Sequence, residues 1–279
     1  QICHGVAEHI ARYDGFARAL NEQGIVVAGH DHLGHGKSLP EGGTPVYFGE
    51  GNTWNTVVDD IYILHQRLKQ RYPDAPLCIM GHSMGSFLTR TYLIRYPGTV
   101  KAAVIMGTGW QPQAAITGGL ALANAIAAVS GENATSELVT ELAFGSYNKL
   151  FAPNRTKVDW LSADESNVDD YIADPLCGAD ATVGLFRQML HGIRFNQRQS
   201  HLRQMDREMP VLFVAGDKDP VGNCGKGVRQ TYDAFRAAGM RDCTLKLYPG
   251  LRHEILNEKA YTADITKNIE AWLLSRLEK

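Results

Sequence analysis

The 279-residue sequence predicts an α/β fold: a mostly parallel, doubly wound sheet with an inserted helical segment. Three observations predict it. Short continuous apolar runs alternate with stretches of helical periodicity, as strands buried on both faces require. One such run leads into Gly81-His82-Ser83-Met84-Gly85, a strand–turn–helix spelling. Residues 110–207 then break the alternation, with a helical pattern and no convincing strand.

The first residues, Gln1-Ile2-Cys3-His4-Gly5, read as the end of a buried strand entering a loop. From this opening, the leading N-terminal strands of the sheet are expected to be missing. A helix over residues 13–23 precedes an apolar strand at 25–29. Residues 54–71 place Val57, Ile61, Leu64 and Leu68 on one helical face. A strand at 76–80 and a helix at 84–96, closed by Pro97-Gly98, flank Ser83. Strands at 102–106, 211–215 and 245–248 follow, with helices at 226–238 and 261–277. Residues 1–109 and 208–279 are therefore assigned to the core, and 110–207 to a helical cap.

Composition excludes several classes. Hydrophobic content of 44% and charged content of 21% suit an ordinary globular chain. A net charge of −2 gives no footprint for nucleic acid. Cys3, Cys78, Cys177, Cys224 and Cys243 form no CxxC and read as reduced thiols. The expectation is cytoplasmic, although any targeting segment would lie in the missing part.

The run around Ser83 fits the G-x-S-x-G nucleophile elbow. A serine on a sharp strand-to-helix turn is held in a strained conformation, and only small neighbours fit around it. A serine nucleophile needs a base, and the base an orienting carboxylate. Both are expected later in the chain. The strand at 211–215 ends in Gly216-Asp217-Lys218-Asp219-Pro220, and G-x-x-D spacing favours Asp219, with Asp217 bracing the turn. The strand at 245–248 is followed by Pro249-Gly250-Leu251-Arg252-His253, which makes His253 the base. The oxyanion donors are the N–H groups of Met84, directly after the nucleophile, and of Val6, in the loop after the first strand.

Four stretches carry a resemblance: His4-Gly5-Val6-Ala7-Glu8-His9 with Arg12-Tyr13, Asp31-His32-Leu33-Gly34-His35-Gly36-Lys37-Ser38, the elbow, and Asp219 with His253. On these the chain resembles the monoacylglycerol lipase and lysophospholipase branch of the α/β-hydrolases, including the serine aminopeptidase-like group. The resemblance implies an ester hydrolase with a Ser-His-Asp triad under a cap that covers an acyl channel. It also implies substrate contact on the alcohol side by Glu8 and Arg12. Spaced four apart, these two also fit a local ion pair that braces the loop. Some of these lipases carry a second histidine soon after the catalytic one. Here the run is His253-Glu254-Ile255-Leu256-Asn257, and the alcohol is not read from it.

A small-molecule acyl ester is the expected partner, with no cofactor. No metal is expected either: His30, His32 and His35 with Asp31 lie in a Gly-rich turn without a distant pair to complete a site. The apolar helix at 114–129 is either a buried cap helix or an acyl-chain wall that touches lipid. Oligomeric state is not read. The rivals are a serine aminopeptidase, for which Glu8 or Asp164, Glu165, Asp169 and Asp170 would bind the substrate amine, and a non-catalytic relative.

Overall fold

The computed structural model describes residues 1–277. Five parallel strands, β1 (Ile2–Cys3), β2 (Cys78–His82), β3 (Ala102–Met106), β4 (Val211–Gly216) and β5 (Cys243–Tyr248), lie in that order across one sheet. Side chains alternate along each strand, so one sheet feeds two cores. Met80, Val104, Met106, Leu212 and Val214 face a core with Phe16 and Leu20 of α1 (Asp14–Glu22) and Ile265, Ile269 and Leu273 of α11 (Thr262–Leu277). Ile79, Ala103, Ile105, Val211 and Phe213 face the other. There they meet Val57 and Ile61 of α2 (Thr53–Arg71), Leu88 and Tyr92 of α3 (Met84–Arg95), and Val228 and Phe235 of α10 (Lys226–Ala237).

The apolar run at 25–29 differs from its expectation. It is no strand, and a single parallel bridge joins Gly29 to Ile2. β1 is two residues long and supports few rungs, while Val26 is exposed.

Between β3 and β4 the chain is helical: α4 (Gln113–Ser130), α5 (Glu137–Thr140), α6 (Ser146–Lys149), α7 (Glu165–Ala173), α8 (Val183–Asn196) and α9 (Gln199–Leu202). A π-helical turn at Glu141–Gly145 joins α5 to α6. Helix α8 packs on α2, α3 and α4. Its terminal Asn196 donates to the Phe87 carbonyl at 2.8 Å and accepts from Thr91 at 2.9 Å. Helix α4 buries one stripe, Ile116, Leu120 and Ala123, flanked by the half-buried Gly119, Leu122, Ile126 and Ala127, and exposes its other residues. By length and composition it could cross a bilayer.

Candidate active site

Ser83 sits between β2 and α3 with φ 54° and ψ −122°. That positive φ is unusual for a residue with a side chain. The turn is held by the Ser83 N–H donating to the Met106 carbonyl at 3.0 Å. It closes because Gly81 and Gly85 are glycines. A Cβ at Gly81 would collide with the Gly85 carbonyl and the Thr89 hydroxyl, and one at Gly85 with the Cys3 carbonyl.

The expected partners converge at the carboxyl ends of the strands. His253 Nδ1 and Asp219 Oδ1 are 3.0 Å apart, and both side chains are buried. Asp219 Oδ1 also accepts from the Val221 N–H at 2.9 Å. Asp217 instead accepts from the Gly250 N–H at 2.8 Å, bracing the adjacent turn. Ser83 and His253 line one cavity of about 840 Å³. No hydrogen bond joins the Ser83 hydroxyl to the imidazole; sites of this kind tighten that contact with substrate bound. The Trp160 ring lies 5.1 Å from the His253 ring.

Val6 lines the same cavity, and its N–H has no backbone acceptor. Met84 opens α3, so its N–H has no carbonyl one turn back. The neighbouring Gly5 N–H is occupied, donating to Glu8 Oε1 at 2.5 Å.

Glu8 and Arg12 belong to a larger buried network. Arg12 donates to Glu8 at 2.8 Å and grips both Glu254 oxygens, at 2.6 and 2.7 Å. Asn167 of α7 donates to Glu254 at 2.8 Å, and the Arg12 guanidinium lies over the Tyr171 ring. Glu8 lines the cavity; Arg12 does not. The Tyr13 hydroxyl donates to Glu8 at 2.8 Å, so it accepts from His82 Nδ1 at 2.9 Å. His82 Nε2 faces the His253 carbonyl at 3.2 Å, and a carbonyl only accepts. With the Tyr13 proton on Glu8, both ring nitrogens of His82 donate, the pattern of a protonated imidazole. Its pKa agrees: burial alone would lower it, but the Glu8 hydrogen bond and charge raise it. Burial alone would likewise raise Glu8, yet His82 and Arg12 hold it well below the usual carboxylate range. Two buried carboxylates thus share the Arg12 guanidinium and the His82 ring, the pairing buried charge requires.

Sequence reasoning passed over His82, Glu254, Asn167 and Trp160. Only Glu254 carried a signal, as the charge next to His253; its partner Arg12 is 242 positions away.

Of the two roles expected for the helix at 114–129, the channel wall is not the one α4 takes. None of its residues lines the cavity; segments 135–161 and 171–181 supply the roof, with Phe144, Trp160, Leu161 and Tyr171 among them. Helix α4 is turned away because its apolar stripe is taken by α8.

The histidine-rich turn is structural in its contacts. His4 Nε2 accepts from the His32 N–H at 2.9 Å, so His4 Nδ1 is the donor to the Gly5 carbonyl at 2.7 Å. Asp31 accepts from the N–H groups of Ile10 and Lys37 at 2.8 and 2.7 Å.

Residues 1–260 match the Hydrolase_4 family, described as serine aminopeptidase, S33. The chain is 31% identical to a monoacylglycerol lipase of Mycolicibacterium smegmatis, over 99% of this chain and 88% of that protein. It is 28% identical to the monoglyceride lipase of Mus musculus, over 99% and 82%. A thermostable carboxyl esterase from Bacillus coagulans, solved in complex with glycerol, superposes with a TM-score of 0.92 at 26% identity, over 99% of this chain and 89% of that one. The nucleophile turn, the parallel sheet and these matches together place the chain in the serine aminopeptidase S33 family of α/β-hydrolases, within its monoacylglycerol lipase-like group.

Proposed function

We propose that this serine carboxylic-ester hydrolase cleaves monoacylglycerols and related acyl esters through an acyl-enzyme formed on Ser83. The observation that carries the reading is a serine strained into the elbow on the wall of a roofed cavity that is also lined by His253, itself paired with the buried Asp219. In this reading Ser83 Oγ attacks the ester carbonyl, and His253 Nε2 takes the hydroxyl proton. Asp219 holds the proton on His253 Nδ1 and stabilises the imidazolium. The Val6 and Met84 N–H groups receive the oxyanion. His253 then protonates the leaving alcohol. Water, deprotonated by the same imidazole, hydrolyses the acyl-enzyme and regenerates Ser83. The acyl and alcohol parts occupy a cavity under residues 110–207, which act as its cap.

The engagement of Glu8 and Glu254, which line the cavity with Ser83, favours an esterase over an aminopeptidase. Such an enzyme needs an acid free to take the substrate amine. Glu8 and Glu254 are already engaged by Arg12, Tyr13 and Asn167. Asp164, Glu165, Asp169 and Asp170 do not line the cavity; Glu137, Asp180 and the Lys149-paired Glu141 line its roof, on the cap. Engagement with Arg12 and Glu254 likewise supports a bracing role for the Glu8–Arg12 pair, with Glu8 alone offering its edge to substrate.

Contact with a lipid surface belongs to the same proposal. Leu138, Leu142 and Leu150 are more than half exposed, on a segment whose Thr140, Phe144 and Asn148 line the cavity. Leaflet contact there would put the cavity mouth against the substrate's own phase. A cytoplasmic location is proposed on the five free thiols, the state a reducing compartment maintains.

A fluorophosphonate probe and paired substrates test the reading. Label should appear on Ser83 alone, with turnover of 1-monoacylglycerols exceeding that of an aminoacyl anilide. Faster anilide cleavage would hand the site to the peptidase reading. Absence of label would remove Ser83 as nucleophile.

A further inference from the structure

A second cluster of reactive side chains lies away from Ser83, where the oxyanion loop meets the segment after α7. His9 Nε2 is 2.8 Å from Asp174 Oδ2. The Cys177 thiol joins them, with all three ligand atoms within 4.8 Å of one another. Asp174 and Cys177 come from one turn: the Leu176 N–H donates to Asp174 Oδ1 at 2.9 Å, and the Cys177 N–H to the Asp174 carbonyl at 3.0 Å. That turn is tied to the loop carrying His9, because the Gly178 N–H and the Tyr171 hydroxyl both donate to the Ala7 carbonyl at 2.9 Å. The ligand atoms thus converge on a backbone already fixed by other bonds.

We propose that His9, Asp174 and Cys177 form a binding site for a zinc-type transition-metal ion that fastens the oxyanion loop to the roof of the cavity.

The donor set is an imidazole, a carboxylate and a thiolate, all established zinc ligands. Bonds of about 2.0–2.3 Å at tetrahedral angles separate ligand atoms by about 3.3–3.8 Å. The His9–Asp174 distance of 2.8 Å must open to that range, and the Cys177 sulfur already lies within 4.8 Å of both partners. Solvent supplies the fourth ligand. The side chains of His9 and Asp174 are 11% and 30% exposed, which gives the ion an entry path.

Charge also balances. One carboxylate and one thiolate neutralise a divalent ion. The Arg12 guanidinium faces Cys177, but it is already held by Glu8 and Glu254. Burial pushes the Cys177 thiol up to about 12, so without metal the sulfur keeps its proton. Binding therefore releases that proton to solvent, and the imidazole must present a bare Nε2 with its proton on Nδ1. No electron transfer is involved.

Cobalt(II) titration of the whole purified chain tests the site, since tetrahedral cobalt shows visible d–d bands and a thiolate charge-transfer band in the near ultraviolet. One equivalent should produce both. Cys177→Ser should abolish the charge-transfer band, while Cys224→Ser, which removes the exposed thiol, should leave it intact. Asp174→Asn and His9→Gln should each weaken cobalt and zinc binding at least roughly tenfold, as loss of a metal's supporting groups does. Zinc should raise the thermal midpoint of the parent but not of Cys177→Ser. Circular dichroism of each variant separates lost binding from lost fold. No cobalt spectrum, or one unchanged by Cys177→Ser, would overturn the proposal. So would affinity unchanged in both Asp174→Asn and His9→Gln, which would reduce the site to a lone thiol.

Discussion

Arg12 holds Glu254 through both guanidinium arms, at 2.6 and 2.7 Å, one residue beyond His253. The pair is buried, with side chains 10% and 3% exposed. It joins the loop of His253 to the loop of Val6, because Arg12 also holds Glu8 and Glu8 holds the Gly5 N–H. Removing one partner strands the other charge. Glu254→Gln is therefore expected to destabilise the fold by about 3–5 kcal/mol and to lower turnover. Arg12→Lys in the otherwise parental chain should also be destabilised, since an ammonium cannot bridge both Glu254 oxygens in the manner of a guanidinium. Thermal melting and ester kinetics check this; a parental midpoint in Glu254→Gln would refute it.

Loss of the nucleophile should be nearly complete. Ser83→Ala is expected to reduce ester turnover by about 10⁶-fold with the fold retained, since the triad acts as a unit. Retained turnover with an unchanged melting curve would sink the acyl-enzyme mechanism.

The two nearby aspartates should separate cleanly. Asp219 contacts the imidazole, whereas Asp217 contacts the Gly250 N–H. Asp219→Asn is expected to lower kcat by about 10⁴-fold through the wrong tautomer. Asp217→Asn, which removes a charge at an exposed turn, should cost less than about 1 kcal/mol of stability and leave kcat near parental. Equal losses in the two variants would contradict the assignment.

Stability should fall on the acid side. Burial pushes His4 down to about 4 from its ordinary 6.5. Between those values the unfolded chain binds more protons than the folded one, so stability declines as pH falls from about 6.5 to about 4 and is level above that window for this group. A shift of this size corresponds to about 3 kcal/mol. Lowered His32 and His35 act in the same direction. Glu8, held low, adds a further loss at more acid pH. His82, held high, has the opposite sign: its contribution is present in acid and is lost as pH rises through its raised value. The thermal midpoint should drop between pH ~7.5 and ~5, and His4→Asn should flatten that slope. A midpoint indifferent to pH across this range would rule the account out.

Acyl-chain selection should follow the observed wall. Ala181 lines the cavity and is buried, whereas Ala121 lies exposed on α4. Each methylene housed in an apolar wall is worth about 0.8 kcal/mol. Ala181→Trp is therefore expected to cut kcat/KM for decanoyl esters by about tenfold or more relative to butyryl esters. Ala121→Trp should leave the profile unchanged. A shifted profile in Ala121→Trp alone would restore α4 to the channel.

What the chain spells locally was legible without coordinates. Ser83 could be read because the elbow needs Gly81 and Gly85 within two positions, and His253 because a strand and a loop announce it. Strand and helix positions followed from periodicity, since strands buried on both faces must be continuously apolar. The edge run at 25–29 misled because apolar composition does not supply a pairing partner, and β1 offers Ile2 alone to Gly29. Helix α4 misled for a related reason: its apolar stripe specifies that it must be covered, but not that α8 rather than a ligand covers it. Tertiary structure alone decided the Arg12–Glu254 clamp, the meeting of His82 with Glu8 and Tyr13, and that of His9 with Asp174 and Cys177. Each depends on charges or donors brought together from distant positions, where desolvation sets protonation and pairing, and one-dimensional spacing holds no record of either.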